Sequence, residues 1–276
     1  MKSFNKISKT LTILLLATSL FSCKKNDNNV TTKPDPTVGY IKLASGYADG
    51  AATKVDVYAK DSAFTGYNKL YIALTDSVTN EYVERAEISL MPEMNMATMS
   101  HAAPYERPAS SMAQNMLFPC SVSFIMSSMG GTWTLGVSVT NLNNSRSGKA
   151  KLSIHVKDPV EARMFSFVSP VDSAKYFVGL VPGAKTIVGA NDLELVVYRK
   201  MSMMSFPADS SLTISFVPTM PSMGHGSPNN VDPVHTSNGH YKGKVNYTMT
   251  GTWKLAIKIS KGATVIDSAH YFDFTF

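Results

Sequence analysis

Residues 131–140 read GTWTLGVSVT, and residues 251–260 read GTWKLAIKIS. In the first stretch Trp133, Leu135, Val137 and Val139 alternate with Thr134, Gly136 and Ser138. In the second, Trp253, Leu255, Ile257 and Ile259 alternate with Lys254, Ala256 and Lys258. A period of two sustained over this length predicts a strand with one face on a core. Leu152, Ile154 and Val156 repeat it, as do Leu193, Leu195 and Val197, and Leu212, Ile214 and Phe216. Turn-forming clusters such as NLNNSRSG and VPGAK divide the runs. No long helical period follows the N-terminal segment, so the chain reads as all-β. Several short alternating strands predict β-sandwiches.

The two Gly-Thr-Trp stretches are the last of five landmarks that recur in order, about 120 residues apart. Asn68-Lys69-Leu70 corresponds to Asn191-Asp192-Leu193. Ile88-Ser89-Leu90-Met91-Pro92 corresponds to Ile214-Ser215-Phe216-Val217-Pro218. Met99-Ser100-His101 through Pro104 corresponds to Met223-Gly224-His225 through Pro228. Val122-Ser123-Phe124-Ile125-Met126 corresponds to Val245-Asn246-Tyr247-Thr248-Met249. A repeat of this length fits a duplicated domain of ordinary size, with boundaries at 39–158 and 159–276.

The order of these landmarks resembles the YtkA-like (FixH-like) family of bacterial extracytoplasmic domains. That family shows an Asn at a strand start, a strand ending in Pro, a Met/His segment, Gly-x-Tyr, an aromatic-x-Met pair and Gly-x-Trp-x-Leu. The second copy carries all of them, including Gly239-His240-Tyr241. The first departs twice: Leu117-Phe118 replaces His240-Tyr241, and Ser127 to Gly130 are inserted before the Gly-Thr-Trp. The resemblance implies an immunoglobulin-like sandwich, here two in tandem, and a role in copper handling or oxidase assembly.

The N-terminus sets the expected compartment. Lys2, Lys6 and Lys9 precede the apolar run LTILLLATSLF and Ser22-Cys23. These are the parts of a secretory signal, and the run is too short to span roughly 30 Å of hydrocarbon as a helix. Leu20-Phe21-Ser22-Cys23 resembles a bacterial lipobox, which implies cleavage after residue 22 and lipidation of Cys23. The polar, Pro-interrupted segment that follows reads as a flexible tether over 23–38. The expected location is the cell envelope, outside the cytoplasm, with Cys23 anchored in a bacterial membrane. Removing three lysines and no acid from a net charge of +6 leaves +3. That charge, with no basic run, excludes an electrostatic footprint for nucleic acid. With Cys23 blocked, Cys120 has no partner and the core alone must hold the fold.

Fifteen methionines follow Met1, eight of them between Met91 and Met129 and five between Met201 and Met223. Met126 and Met249 fall on inward strand parity and read as core, as does Met164. Met94, Met96, Met99 and His101 follow Pro92, where the strand pattern ends; Met220, Met223 and His225 are placed likewise after Pro218. Thioether sulfur favours Cu(I), and imidazole suits either oxidation state of copper. Neither donor adds negative charge, so such a site competes poorly for Mg²⁺ or Ca²⁺. Residues two apart on an extended segment point the same way, about 7 Å apart. Met223 with His225, Met99 with His101, and Met94 with Met96 are therefore candidate chelating pairs. His235 and His240 are expected to complete the second site. Met112, Met116 and Cys120 are further candidates, although Cys120 lies in a strand and reads more simply as a small buried hydrophobe. Met201, Met203 and Met204 fit either a site rim or a hairpin edge. His155 and His270 read as structural.

No Gly-x-Ser-x-Gly elbow, His-Glu-x-x-His, phosphate-binding glycine loop or acid pair is present, so the chain is not expected to be an enzyme. The expectation is a lipid-anchored copper protein, Cu(I) favoured, that buffers copper or exchanges it with a copper-accepting or copper-donating protein. The rival is an envelope adhesion or scaffold lipoprotein whose methionine-rich loops bind protein. A third reading is an apolar-ligand pocket without metal.

Overall fold

The inward-parity residues of the two tryptophan strands are all buried: Trp133, Leu135, Val137 and Val139 in one, Trp253, Leu255, Ile257 and Ile259 in the other. They lie in strands β8 (Thr132–Asn141) and β17 (Thr252–Lys261) of a computed structural model that describes residues 35–276. The expected signal peptide (1–22), Cys23 and most of the tether (23–38) lie outside the described residues. Among those described there is no α-helix, only the 3-10 turns Asp49–Ala51 and Ser128–Gly130, and no helix long and apolar enough to cross a membrane.

The remaining strands of the first half are β1 (Ile41–Ala48), β2 (Thr53–Ala59), β3 (Gly66–Asp76), β4 (Ala86–Asn95), β5 (Ser100–Ala102), β6 (Tyr105–Glu106), β7 (Leu117–Phe124) and β9 (Arg146–Ile154). Those of the second are β10 (Met164–Val168), β11 (Lys175–Leu180), β12 (Gly189–Lys200), β13 (Leu212–Met220), β14 (His225–Gly226), β15 (Val231–Ser237), β16 (His240–Tyr247), β18 (Thr264–Asp267) and β19 (Tyr271–Thr275). One sheet runs β1-β2-β3-β7-β6 and its mate β5-β4-β8-β9. In the second half the orders are β10-β11-β12-β16-β15 and β14-β13-β17-β18, with β19 also on β17. Adding nine to every label of the first pair of sheets gives the second pair. Val55, Leu70 and Val122 from one sheet meet Leu90, Trp133 and Leu152 from the other in the first core. Val178, Leu195 and Tyr241 meet Ile214, Trp253 and Phe272 in the second. Burying each such side chain contributes roughly 1.5–3 kcal/mol.

Local devices recur with the strand order. Asn68 Nδ2 donates to the carbonyls of Phe64 and Gly66, and its Oδ1 accepts from Phe64 N–H. Asn191 does the same with Ile187 and Gly189. Each asparagine thereby closes the turn that feeds its strand, and the glycine two residues earlier has positive φ, 134° at Gly66 and 106° at Gly189. Likewise Trp133 Nε1 donates to the Met126 carbonyl and Trp253 Nε1 to the Met249 carbonyl, both at 3.0 Å. Tyr241, part of the Gly-x-Tyr landmark, spends its hydroxyl in the second half by accepting from Leu212 N–H and donating to the Asp209 carbonyl. Phe118, its counterpart, is wholly buried and needs no such partner.

Pro36–Phe276 form one compact unit. Tyr67 and Ala102 of the first half pack with Phe177, Val181, Val196, Tyr198 and Phe206 of the second. This boundary bears directly on the candidate site.

Candidate metal centre

Strands β4 and β13 do not stop at their prolines. Burial alternates through Ile88, Leu90, Pro92 and Met94, and through Ile214, Phe216, Pro218 and Met220. Pro92 is tolerated because its carbonyl, which accepts from Ala103 N–H, faces the short β5 edge of the sheet. Its missing donor therefore costs no ladder bond to β8. Met94 is 0% exposed and Met220 3%, so both are core residues rather than loop ligands. This corrects the placement expected from sequence.

The strands nevertheless carry these two methionines to a histidine each. Met94 is the register partner of His101 across β4 and β5, and Met220 is that of His225 across β13 and β14. Each histidine stands edge-on to its tryptophan: His101 to Trp133 at 5.3 Å and 80°, His225 to Trp253 at 5.6 Å and 90°. The expected pairing of Met99 with His101 does not form. Met96 N–H donates to the Met99 carbonyl and turns the chain, leaving Met99 exposed, Met96 half-buried on the core and His101 only 4% exposed. Met223 is exposed in the equivalent turn.

His101 instead meets Met126, which the sequence reading assigned to core. Nε2 lies 3.2 Å from Met126 Sδ, and Nδ1 lies 3.0 Å from the Ala102 carbonyl. A carbonyl oxygen only accepts, so Nδ1 carries a hydrogen. Nε2 then faces a thioether that has no hydrogen to give. Two ligands held about 2.0–2.3 Å from one ion at 90–110° stand ~3–3.5 Å apart. The gap fits a shared cation, and the Nδ1–H bond to a backbone carbonyl is the usual support of a metal-ligating imidazole. The methyls of Met94 and Met126 both abut Gly130. That glycine lies in the Ser127–Gly130 insertion, pinned by Ser128 N–H to the Val156 carbonyl and Val156 N–H to Ser128 Oγ. The insertion thus folds over the first centre. The second half lacks it, and Met249 sits exposed beyond the end of β16 rather than in the core.

Neither further histidine joins the second centre. His235, exposed on β15, packs edge-on against Tyr241, its cross-strand neighbour on β16 of the same sheet. His240 is engaged at both nitrogens: Nε2 to Glu106 Oε1 at 2.8 Å and Nδ1 to Glu194 Oε1 at 2.7 Å. Glu106 Oε2 accepts from Tyr67 and Ser121. Burial opposes the charged imidazole, but its two carboxylates outweigh that and raise its pKa to about 9. Burial likewise pushes Glu106 up, and the hydrogen bonds from His240 and Tyr67 overcome it, holding Glu106 at about 2. His240 is therefore an ion-pair bridge between halves, with no lone pair to offer a metal. Among the described residues no group of three or more His, Cys, Asp and Glu is arranged to hold an ion. The soft pair of His101 and Met126 is of another kind, since thioether is one of its donors.

Cys120 is buried, and desolvation pushes its thiol up to about 12, which makes it a core residue and not a thiolate ligand. His155 is exposed beyond β9, whereas His270 stacks on Phe165 and bonds Asp267. A cleft of about 660 Å³ lies between the halves, lined in part by Phe64, Lys69, Arg163 and Tyr247. Two of its cations are engaged, Lys69 with the Pro182 carbonyl and Arg163 with Glu161.

Residues 173–258, within the second sandwich, match the family described as YtkA-like. No curated protein is similar in sequence. Among solved structures, domains 5-6 of the S-layer protein SbsC align at 12% identity and a TM-score of 0.30, over 86% of this chain and 97% of that one. Domains 4-9 of the same protein align at 11% identity and a TM-score of 0.30, over 79% and 30%.

Proposed function

We propose that the chain is a lipid-anchored, extracytoplasmic protein of two tandem YtkA-like sandwiches that binds monovalent copper and exchanges it with a protein partner. The observation that carries this reading is the 3.2 Å approach of His101 Nε2 to Met126 Sδ. Both donors are neutral and soft, which suits Cu(I) over hard divalent cations. Thioether forms no disulfide and needs no deprotonation, so the pair tolerates an oxidising compartment. The matched strand orders, asparagine turns and Trp–Met hydrogen bonds support the tandem reading, with the first half as the closed centre and the second as the open one. Lipidation of Cys23 rests on the sequence alone.

Competition with a Cu(I) chelator at neutral pH tests it. H101A and M126L should each weaken Cu(I) binding at least about tenfold, roughly 1.4 kcal/mol. Unchanged affinity in both variants rejects the assignment.

A second reading, an envelope adhesion or scaffold protein, is favoured by the methionines left on the surface, Met91, Met129 and Met201 among them. It predicts that those side chains respond to a protein partner and not to copper.

A further inference from the structure

The segment Lys200-Met201-Ser202-Met203-Met204-Ser205-Phe206 belongs to the second half but reaches the first half's centre. Its backbone is a closed turn: Met201 and Ser202 N–H both donate to the Ser205 carbonyl, and Met204 N–H donates to Ser202 Oγ. Below it Arg199 N–H donates to the Pro207 carbonyl, and buried Phe206 packs edge-on against Phe177. On this fixed turn Met201, Met203 and Met204 are 60, 36 and 45% exposed. Three open thioethers on an ordered backbone are the reverse of methionine's usual burial. Across the boundary the Met203 carbonyl accepts from Ala102 N–H at 2.9 Å. Ala102 is also the residue whose carbonyl fixes the His101 ring. One residue therefore separates the turn from the imidazole it would serve.

We propose that this turn is a capture site for a monovalent soft cation, Cu(I) or Ag(I), and that it hands the ion to His101 and Met126. The inference rests on the copper reading above and adds the donor set that receives the ion first. Thioethers carry no proton at any working pH, so capture needs no deprotonation. Each exchange is a swap of one neutral ligand for another, with no change in oxidation state. Phe206 in the apolar boundary and the Ala102–Met203 hydrogen bond hold the turn against the first half.

The test is Ag(I) titration of the full chain with ¹³C-methyl-labelled methionine, together with stopped-flow loading, for the parent and M201L/M203L/M204L. Leucine conserves volume at exposed positions, and an unchanged thermal midpoint checks the fold. In the parent, the turn's methyl signals and the Met126 signal should both move as Ag(I) is added at neutral pH. The triple variant should load at least about tenfold more slowly, with affinity at His101 within about threefold of the parent. Turn signals that stay fixed while Met126 shifts, or parental loading by the triple variant, overturn the inference and leave the copper reading standing. A fixed Met126 signal overturns the copper reading, and the hand-off with it.

Discussion

Replacing Glu106 by glutamine probes the ion pair that joins the two halves. Raising an imidazole from 6.5 to about 9 corresponds to an interaction on the order of 3 kcal/mol. Glu106 and Glu194 share that, and their side chains are 24% and 26% exposed. Loss of Glu106's charge alone is therefore expected to cost about 1–2 kcal/mol. The glutamine carbonyl can still accept from Tyr67 and Ser121. Its amide can donate to the Nε2 of a neutral His240 whose Nδ1–H goes to Glu194, so the demand for a protonated ring falls. The sign follows from linkage. His240's contribution is complete below 6.5 and lost as pH rises through about 9. Glu106's is complete above 4.5 and lost as pH falls through about 2. The bridge is thus strongest from pH 4.5 to 6.5. Urea unfolding of the parent and E106Q at about pH 5.5 should show the full difference, and at about pH 10 most of it should vanish. An NMR titration of His240 in E106Q should give a midpoint well below 9. An equal difference at both pH values, with the midpoint still near 9, would refute the reasoning.

Other outcomes follow from the burial pattern. M94A and M220A should each destabilise by about 2–5 kcal/mol in denaturant unfolding, as for core truncations, whereas M223A at an exposed turn should stay within about 0.5 kcal/mol. W133F should lose the hydrogen bond to the Met126 carbonyl as well as buried area, costing roughly 2–4 kcal/mol. It should also weaken Ag(I) binding by freeing Met126, read by isothermal titration. Cys120 should resist a thiol reagent in the native chain and react promptly in urea, because burial keeps it both protonated and out of reach.

The all-β class and the inward faces were legible because a period of two is written directly into Trp133–Val139 and Trp253–Ile259. The ends of the strands were not. Pro92 and Pro218 read as terminators, yet each turns its missing N–H away from the central ladder, so the alternation runs on to Met94 and Met220. The candidate centre was half legible. His101 stands out in the sequence, and inward parity places Met126 against the first core, where it does pack, but parity does not announce the contact of its sulfur with the imidazole. His240 was misread because its partner Glu106 lies 134 residues away. No local pattern announces a contact at that separation. The aromatic boundary and the bond from Ala102 to Met203 have the same long-range character.

X-ray absorption on the chain loaded with one equivalent of Cu(I) tests the central proposal most directly. A first shell containing nitrogen at about 2.0 Å and sulfur at about 2.3 Å is expected, with the sulfur contribution reduced in M126L and the nitrogen lost in H101A. A shell of oxygen and nitrogen alone, identical in all three proteins, would contradict it.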